Sequence, residues 1–85
     1  MRTFEYTVCD ELGLHARPAG RLVRCAKSFL SRIRVICNGK SGDAKRLIGL
    51  MKIEIKKGER VLFEINGDDE KAAEEKLQRF CRDNL

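Results

Sequence analysis

The sequence predicts an α+β fold in which helices pack on one face of an antiparallel sheet. Three observations lead there. Residues 3–8 alternate polar with apolar side chains, and residues 32–37 and 61–66 do so with one exception each, Ile36 and Leu62, the period of a half-buried strand. Two longer segments repeat apolar residues at helical spacing. The two kinds are interspersed within only 85 residues, too few to segregate them into separate domains. The hydrophobic fraction is 42% and the charged fraction 36%, the composition of a soluble globular protein and not of a disordered tail. We therefore read residues 1–85 as one domain. A chain this short buries only somewhat more than about 60% of its unfolded surface, so a large internal pocket would be hard to support.

Each element has its own signal. Phe4, Tyr6 and Val8 alternate with Thr3, Glu5 and Thr7 in a first strand. Pro18, the single proline, suits the first turn of a helix, where its missing N–H costs nothing. From there Ala19, Leu22, Val23, Ala26, Phe29 and Leu30 form an apolar stripe, with Arg21, Arg24 and Lys27 off it and exposed. Ile33, Val35 and Cys37 make a second strand. Asn38-Gly39 is a two-residue hairpin signal, so a short third strand follows at about Lys40 to Asp43. Leu47, Leu50 and Met51 fit a turn and a half of helix, while Ile53 and Ile55 look strand-like. Lys57-Gly58 marks a turn, and Val61, Phe63 and Ile65 a fourth strand. Gly67-Asp68-Asp69 ends that strand, and either aspartate can cap the last helix. Its stripe is Ala73, Leu77, Phe80 and Cys81. Lys71–Glu75 and Glu75–Arg79 are spaced to pair on its outer face.

Composition excludes several classes. No apolar run approaches the ~20 residues of a membrane span. The first six residues are acid-bearing and alternating, unlike a signal peptide, so we expect a cytoplasmic protein. Cysteines stand at 9, 25, 37 and 81 with no C-x-x-C pair, so we expect four reduced, half-buried thiols, no disulfide and no zinc. No cofactor is called for. The net charge is +5, which favours acidic partners without choosing among them. Nucleic acid fits poorly, because none of the five aromatics clusters with Lys and Arg as a stacking platform would.

The informative segment is Leu12-Gly13-Leu14-His15-Ala16-Arg17-Pro18-Ala19-Gly20. It holds the only histidine of the chain, at the cap or first turn of the Pro18 helix. A lone histidine is ordinarily a surface or packing residue. Here, however, unpaired backbone N–H groups and the helix dipole favour an anion beside it. Arg17 can add a charge-assisted contact to phosphate oxygens. Neutral imidazole is a nucleophile near physiological pH, with a reference pKa around 6.5. The set suits reversible phosphoryl transfer by positioning and electrostatics.

The string Gly13-Leu14-His15-Ala16-Arg17-Pro18-Ala19 resembles the active-site motif of the HPr family, the histidine phosphocarriers of the bacterial sugar phosphotransferase system. The resemblance covers nearly the whole chain. Asn38-Gly39-Lys40-Ser41, Ile48-Gly49-Leu50-Met51, Lys57-Gly58 and Gly67-Asp68-Asp69-Glu70 fall at family-like positions. It implies an open-faced β-sandwich, a four-stranded antiparallel sheet covered on one face by three helices. It implies that His15 accepts phosphate, through Nδ1, from phospho-enzyme I charged by phosphoenolpyruvate, and passes it to a sugar-specific enzyme II subunit. Arg17 and the backbone N–H groups of Ala16 and Arg17 would hold the phosphate. Gly20, Arg24, Lys27, Arg46, Leu47, Ile48 and Met51 would form the docking patch for these partners. Leu47, Ile48 and Met51 also suit an ordinary core, and Arg24 and Lys27 a solvated helix face. Such a carrier is a phosphorylated intermediate and not an enzyme, and works as a monomer.

One position departs from the family. Many members from Gram-positive bacteria carry a regulatory serine where this chain has Arg46. Arginine offers no hydroxyl and reverses the charge that phosphorylation adds. A plain phosphocarrier without serine control stays open, as in enteric-type members; its rival is an HPr-like regulatory module that docks partner proteins, regulatory ones included, with little phosphotransfer.

Overall fold

The elements follow in the predicted order: β1 (Arg2–Thr7), α1 (Ala16–Lys27), β2 (Arg32–Cys37), β3 (Lys40–Asp43), α2 (Leu47–Met51), β4 (Arg60–Asn66) and α3 (Glu70–Asn84). This computed structural model describes all 85 residues. The strands form one antiparallel sheet in the order β1-β4-β2-β3, and the three helices cover one face of it. At the β2–β3 hairpin Asn38 and Gly39 both take positive φ (55° and 74°), as a primed two-residue turn requires.

Strand period decides what faces the helices. Register aligns Phe4 with Phe63, Phe63 with Val35, and Ile65 with Ile33, all on the inner face. The rings of Phe4 and Phe63 stack with centroids 4.7 Å apart. Against them lie Ala19, Leu22 and Ala26 of α1, Leu50 of α2, and Ala73, Leu77 and Cys81 of α3, all buried. Burial pushes the Cys81 thiol up to about 12, so it stays protonated and inert. The other face of the sheet is open and ionic. Arg34 Nη1 pairs with Glu64 at 3.1 Å and Arg60 with Glu5 at 4.0 Å across neighbouring strands.

The fold corrects four expectations. Leu30 does not extend the α1 stripe: the helix ends at Lys27, and Leu30 is 86% exposed on the loop beyond it. Ile53 and Ile55 are buried but lie in irregular backbone, with Glu54 between them at φ 57°. Their alternation reflects inward packing without a strand partner. The ion pairs of α3 form with the N-terminal strand and not along the helix: Arg2 binds Glu74 at 2.6 Å and the terminal amine binds Glu70 at 3.3 Å. The four cysteines are unpaired, but Cys9 is exposed, since β1 ends before it.

Asp69 takes the N-cap position of α3, yet its side chain does not cap that helix. It reaches instead to the α1–β2 loop. Oδ2 accepts the Leu30 N–H at 2.8 Å, and Oδ1 accepts the Ser31 N–H at 2.9 Å and the Ser31 hydroxyl at 2.5 Å. The Ser31 hydroxyl, with the two backbone N–H groups, holds the Asp69 carboxyl below its ordinary value. A depressed folded value means the stabilisation is present above the unfolded value, about pH 4, and is lost as pH falls through the folded one. The melting temperature should therefore fall on acidification below about pH 4. Asp69→Asn should lower it at neutral pH and flatten that acid decline. Parallel curves for the two proteins would show that Asp69 is not a source of the acid sensitivity.

Candidate functional site

The loop from β1 to α1 is held at nearly every residue. The Val8 N–H donates to Glu59 O at 3.0 Å, and the N–H groups of Cys9 and Asp10 both donate to Leu85 O, at 2.5 and 2.8 Å. Asp10 then folds the chain back. Its Oδ1 accepts the Leu12 N–H at 2.8 Å and its carbonyl accepts the Gly13 N–H at 2.9 Å, an Asx-type turn. The Leu14 N–H donates to Ile55 O at 3.0 Å, and the Leu14 side chain is buried. Gly13 sits at φ +66°, with its backbone flat against the 55–56 segment. A Cβ there would lie 2.2 Å from Ile55 O and 2.8 Å from the Lys56 Cα. Only glycine fits, on both counts.

These constraints deliver His15 to the start of α1. It is the N-cap residue, with extended backbone (φ −84°, ψ −177°) and a carbonyl that accepts the Ala19 N–H at 3.0 Å. Its side chain does not cap the helix. The N–H groups of Ala16 and Arg17 consequently have no partner in the chain, and Pro18 has no N–H to satisfy. No acidic residue occupies the first turn. The Arg17 side chain is exposed and joins no ion pair. The imidazole is half-buried. The one carboxylate within ion-pair distance of it is Asp10, whose Oδ2 lies 3.9 Å from Nε2.

The remaining predicted residues lie on the helical side of the sheet. Arg17, Gly20, Arg24 and Lys27 recur at intervals of three and four residues, one stripe along α1. Ala16, Arg17, Arg24 and Lys27 are exposed and Gly20 is half-buried. Helix α2 packs beside α1. Of its apolar residues only Leu50 is buried. Leu47 and Met51 are partly exposed and Ile48 is 70% exposed, so these three do not serve as core. Arg46 precedes α2 in extended conformation, 3.8 Å from Asp43.

One neighbour of the histidine, Asp10, has no local signal in the sequence. Asp10 is five residues before His15, a spacing that means nothing until the Asx turn reverses the chain. Leu12 is 72% exposed beside the motif, and an apolar residue in a loop gives no sign of its exposure. The site is not a pocket. The largest concavity, about 260 Å³, lies on the open sheet face between Arg32, Arg34, Ser41, Gly42 and Asp43, with no wall from the His15 loop. What the site offers is a half-exposed imidazole beside two free N–H donors, with the exposed, unpaired Arg17 side chain in the same helical turn. Free N–H donors at a helix start and a free arginine are groups that can receive a small anion.

The chain is similar to known proteins. Residues 2–83 match the family profile described as PTS HPr component phosphorylation site. A phosphocarrier protein HPr from Lysinibacillus sphaericus is 40% identical over 77 residues, 91% of this chain and 88% of that protein. Among solved structures, a histidine-containing phosphocarrier protein from Mycoplasma superposes with a TM-score of 0.94. Its identity is 33%, over 96% of this chain and 93% of that one. A swapped dimer of Crh, the catabolite repression protein of Bacillus subtilis, superposes with a TM-score of 0.77 at 33% identity, over 100% and 98% of the chains.

The Gly13 contact makes a direct prediction. Gly13→Ala should cost about 2 kcal/mol or more in urea denaturation, from positive-φ strain plus the clash with Ile55 O. Gly20→Ala is the control, because a Cβ there meets nothing within 4 Å. It should leave stability unchanged or raise it by about 0.5–1 kcal/mol. Equal midpoints for parent and Gly13→Ala would contradict the account of this loop.

Proposed function

This chain belongs to the HPr family of phosphocarriers of the phosphotransferase system, and we propose that it carries a phosphoryl group on His15 from phospho-enzyme I to enzyme II subunits. The observation that carries this reading is the sole histidine placed at the open mouth of α1, beside the unpaired N–H groups of Ala16 and Arg17. In the accepting step the Nδ1 electron pair attacks phosphorus. The bond from phosphorus to the donor breaks, and its electron pair leaves with the donor. The N–H groups of Ala16 and Arg17 and the Arg17 guanidinium receive the phosphoryl oxygens at a helix end that favours negative charge. Passing the group on reverses these events. The protein is then the phosphorylated intermediate of the relay and not itself an enzyme.

The absence of a pocket agrees with this role. A carrier leaves its reacting atom accessible, and the larger partner closes over it. The stripe Gly20, Arg24 and Lys27 with Arg46, and the exposed Leu47, Ile48 and Met51, would form the docking face. An apolar centre with a basic rim suits brief contact with acidic proteins. We propose that the whole chain, residues 1–85, acts as one monomeric domain in the cytoplasm.

A second reading has a specific observation in its favour. The likeness to Crh, together with arginine at position 46, fits a paralogue that regulates by docking. Phosphotransfer rate separates the two. With phosphoenolpyruvate and enzyme I, the carrier should gain an acid-labile, alkali-stable phosphate, and His15→Ala should gain none. Equal labelling of the two proteins would remove His15 from the role. Slow labelling combined with tight binding to a regulatory protein would favour the second reading. Incubation with an HPr serine kinase and ATP should leave residues 40–50 unmodified by mass spectrometry. Phosphate on that segment would overturn the inference from Arg46.

A further inference from the structure

We propose that Asp10 is a positioning residue for phosphoryl transfer, its carboxylate holding the Nε2 edge of His15 so that Nδ1 is the nitrogen that takes and releases the phosphoryl group. The inference rests on the phosphocarrier reading above and adds a residue to it. Three observations support it. Asp10 Oδ2 is 3.9 Å from His15 Nε2, and no other carboxylate is within ion-pair distance of the ring. Asp10 is fixed independently of the histidine: its N–H binds Leu85 O, its carbonyl accepts the Gly13 N–H, and its Oδ1 accepts the Leu12 N–H. That leaves Oδ2 as the oxygen turned to the ring. Both side chains are partly shielded, at 36% exposure for His15 and 32% for Asp10.

The chemistry gives this contact a purpose in both directions of transfer. A carboxylate beside Nε2 favours the ring form with a proton on that nitrogen, which puts the free electron pair on Nδ1. When Nδ1 attacks phosphorus, the Nδ1–P bond forms and the Nε2 proton stays in place. The ring becomes a cation, and Asp10 stands next to the new charge. When the phosphoryl group leaves, the P–Nδ1 pair returns to Nδ1 and a neutral imidazole is released. Were Nε2 deprotonated, the leaving group would be an imidazolate, which is much poorer. Asp10 thus keeps the phosphorylated ring in its transferable form. The free N–H groups of Ala16 and Arg17 serve the other half of the problem, the charge on the phosphoryl oxygens.

Asp10→Asn separates the charge from the turn, because asparagine retains an oxygen for the Leu12 N–H. The ring ¹⁵N spectrum near pH 8, where an ordinary imidazole is neutral, reports which nitrogen bears the proton. The variant should lose about one and a half- to five-fold in the ratio of Nε2-protonated to Nδ1-protonated ring, the range of a partly exposed charge pair. Transfer out of the phosphorylated protein should slow by a similar factor. Asp10→Glu should restore part of both. Ring signals identical to the parent overturn the proposal, even if transfer slows, because the residue would then act only through the turn. A changed ring with unchanged transfer also overturns it. If His15 never takes phosphate in the parent, the phosphocarrier reading fails, while the ring spectrum still tests the Asp10 contact.

Discussion

The site depends on one close approach, the Gly13 backbone against Ile55 and Lys56. Everything around His15 is hung from it. The Leu14 N–H can reach Ile55 O only because no Cβ stands between. Leu14 can then bury its side chain, and the next residue emerges at the first turn of α1. Pro18 stiffens that turn without removing a needed donor. The histidine is therefore placed by buried backbone contacts, while the side chain itself stays free of structural hydrogen bonds. In the proposed role this division is an advantage, since no native hydrogen bond of the ring has to be broken before it accepts a group.

The two faces of the sheet divide the work. The inner face carries the core, and the helices it supports present the histidine, the α1 stripe and the exposed apolar residues of α2. The outer face carries cross-strand ion pairs such as Arg34–Glu64 and Arg60–Glu5. On α1, Arg17, Arg24 and Lys27 are exposed and join no ion pair. Exposed ion pairs of the outer face add little stability, about 0–1 kcal/mol each. The Asp69 junction is different in kind, because one carboxylate satisfies two backbone N–H groups and a hydroxyl at once. It joins the end of α1 to the start of α3 and so fixes the helix layer from the end opposite the histidine.

Period made most of the fold readable. The strands at Phe4, Val35 and Phe63, the helices at Leu22 and Leu77, and the Asn38-Gly39 hairpin each announced themselves through local pattern. Where pattern misled, a non-local partner was responsible. Ile53 and Ile55 alternate as strand residues do, but Ile55 is occupied with the Gly13–Leu14 backbone. Leu30 continues the α1 period, yet Ser28 and the Asp69 junction end the helix before it. Lys71, Glu75 and Arg79 have the spacing of pairs along α3, whereas the N-terminal strand draws Glu70 and Glu74 to itself. In the site, His15, Arg17 and the helix end were legible because a helix start is a local feature. Asp10 was not, since only the chain reversal at Gly13 brings it to the ring.

The central claim is that Ala16 and Arg17 keep their N–H groups free to receive the phosphoryl group on His15. Amide ¹H–¹⁵N spectra recorded before and after phosphorylation test it most directly. The account predicts large downfield shifts of the Ala16 and Arg17 amides, with the amides of Leu22, Ile33, Phe63 and Leu77 unmoved. Unshifted Ala16 and Arg17 amides, or shifts spread evenly through the sheet, would contradict it.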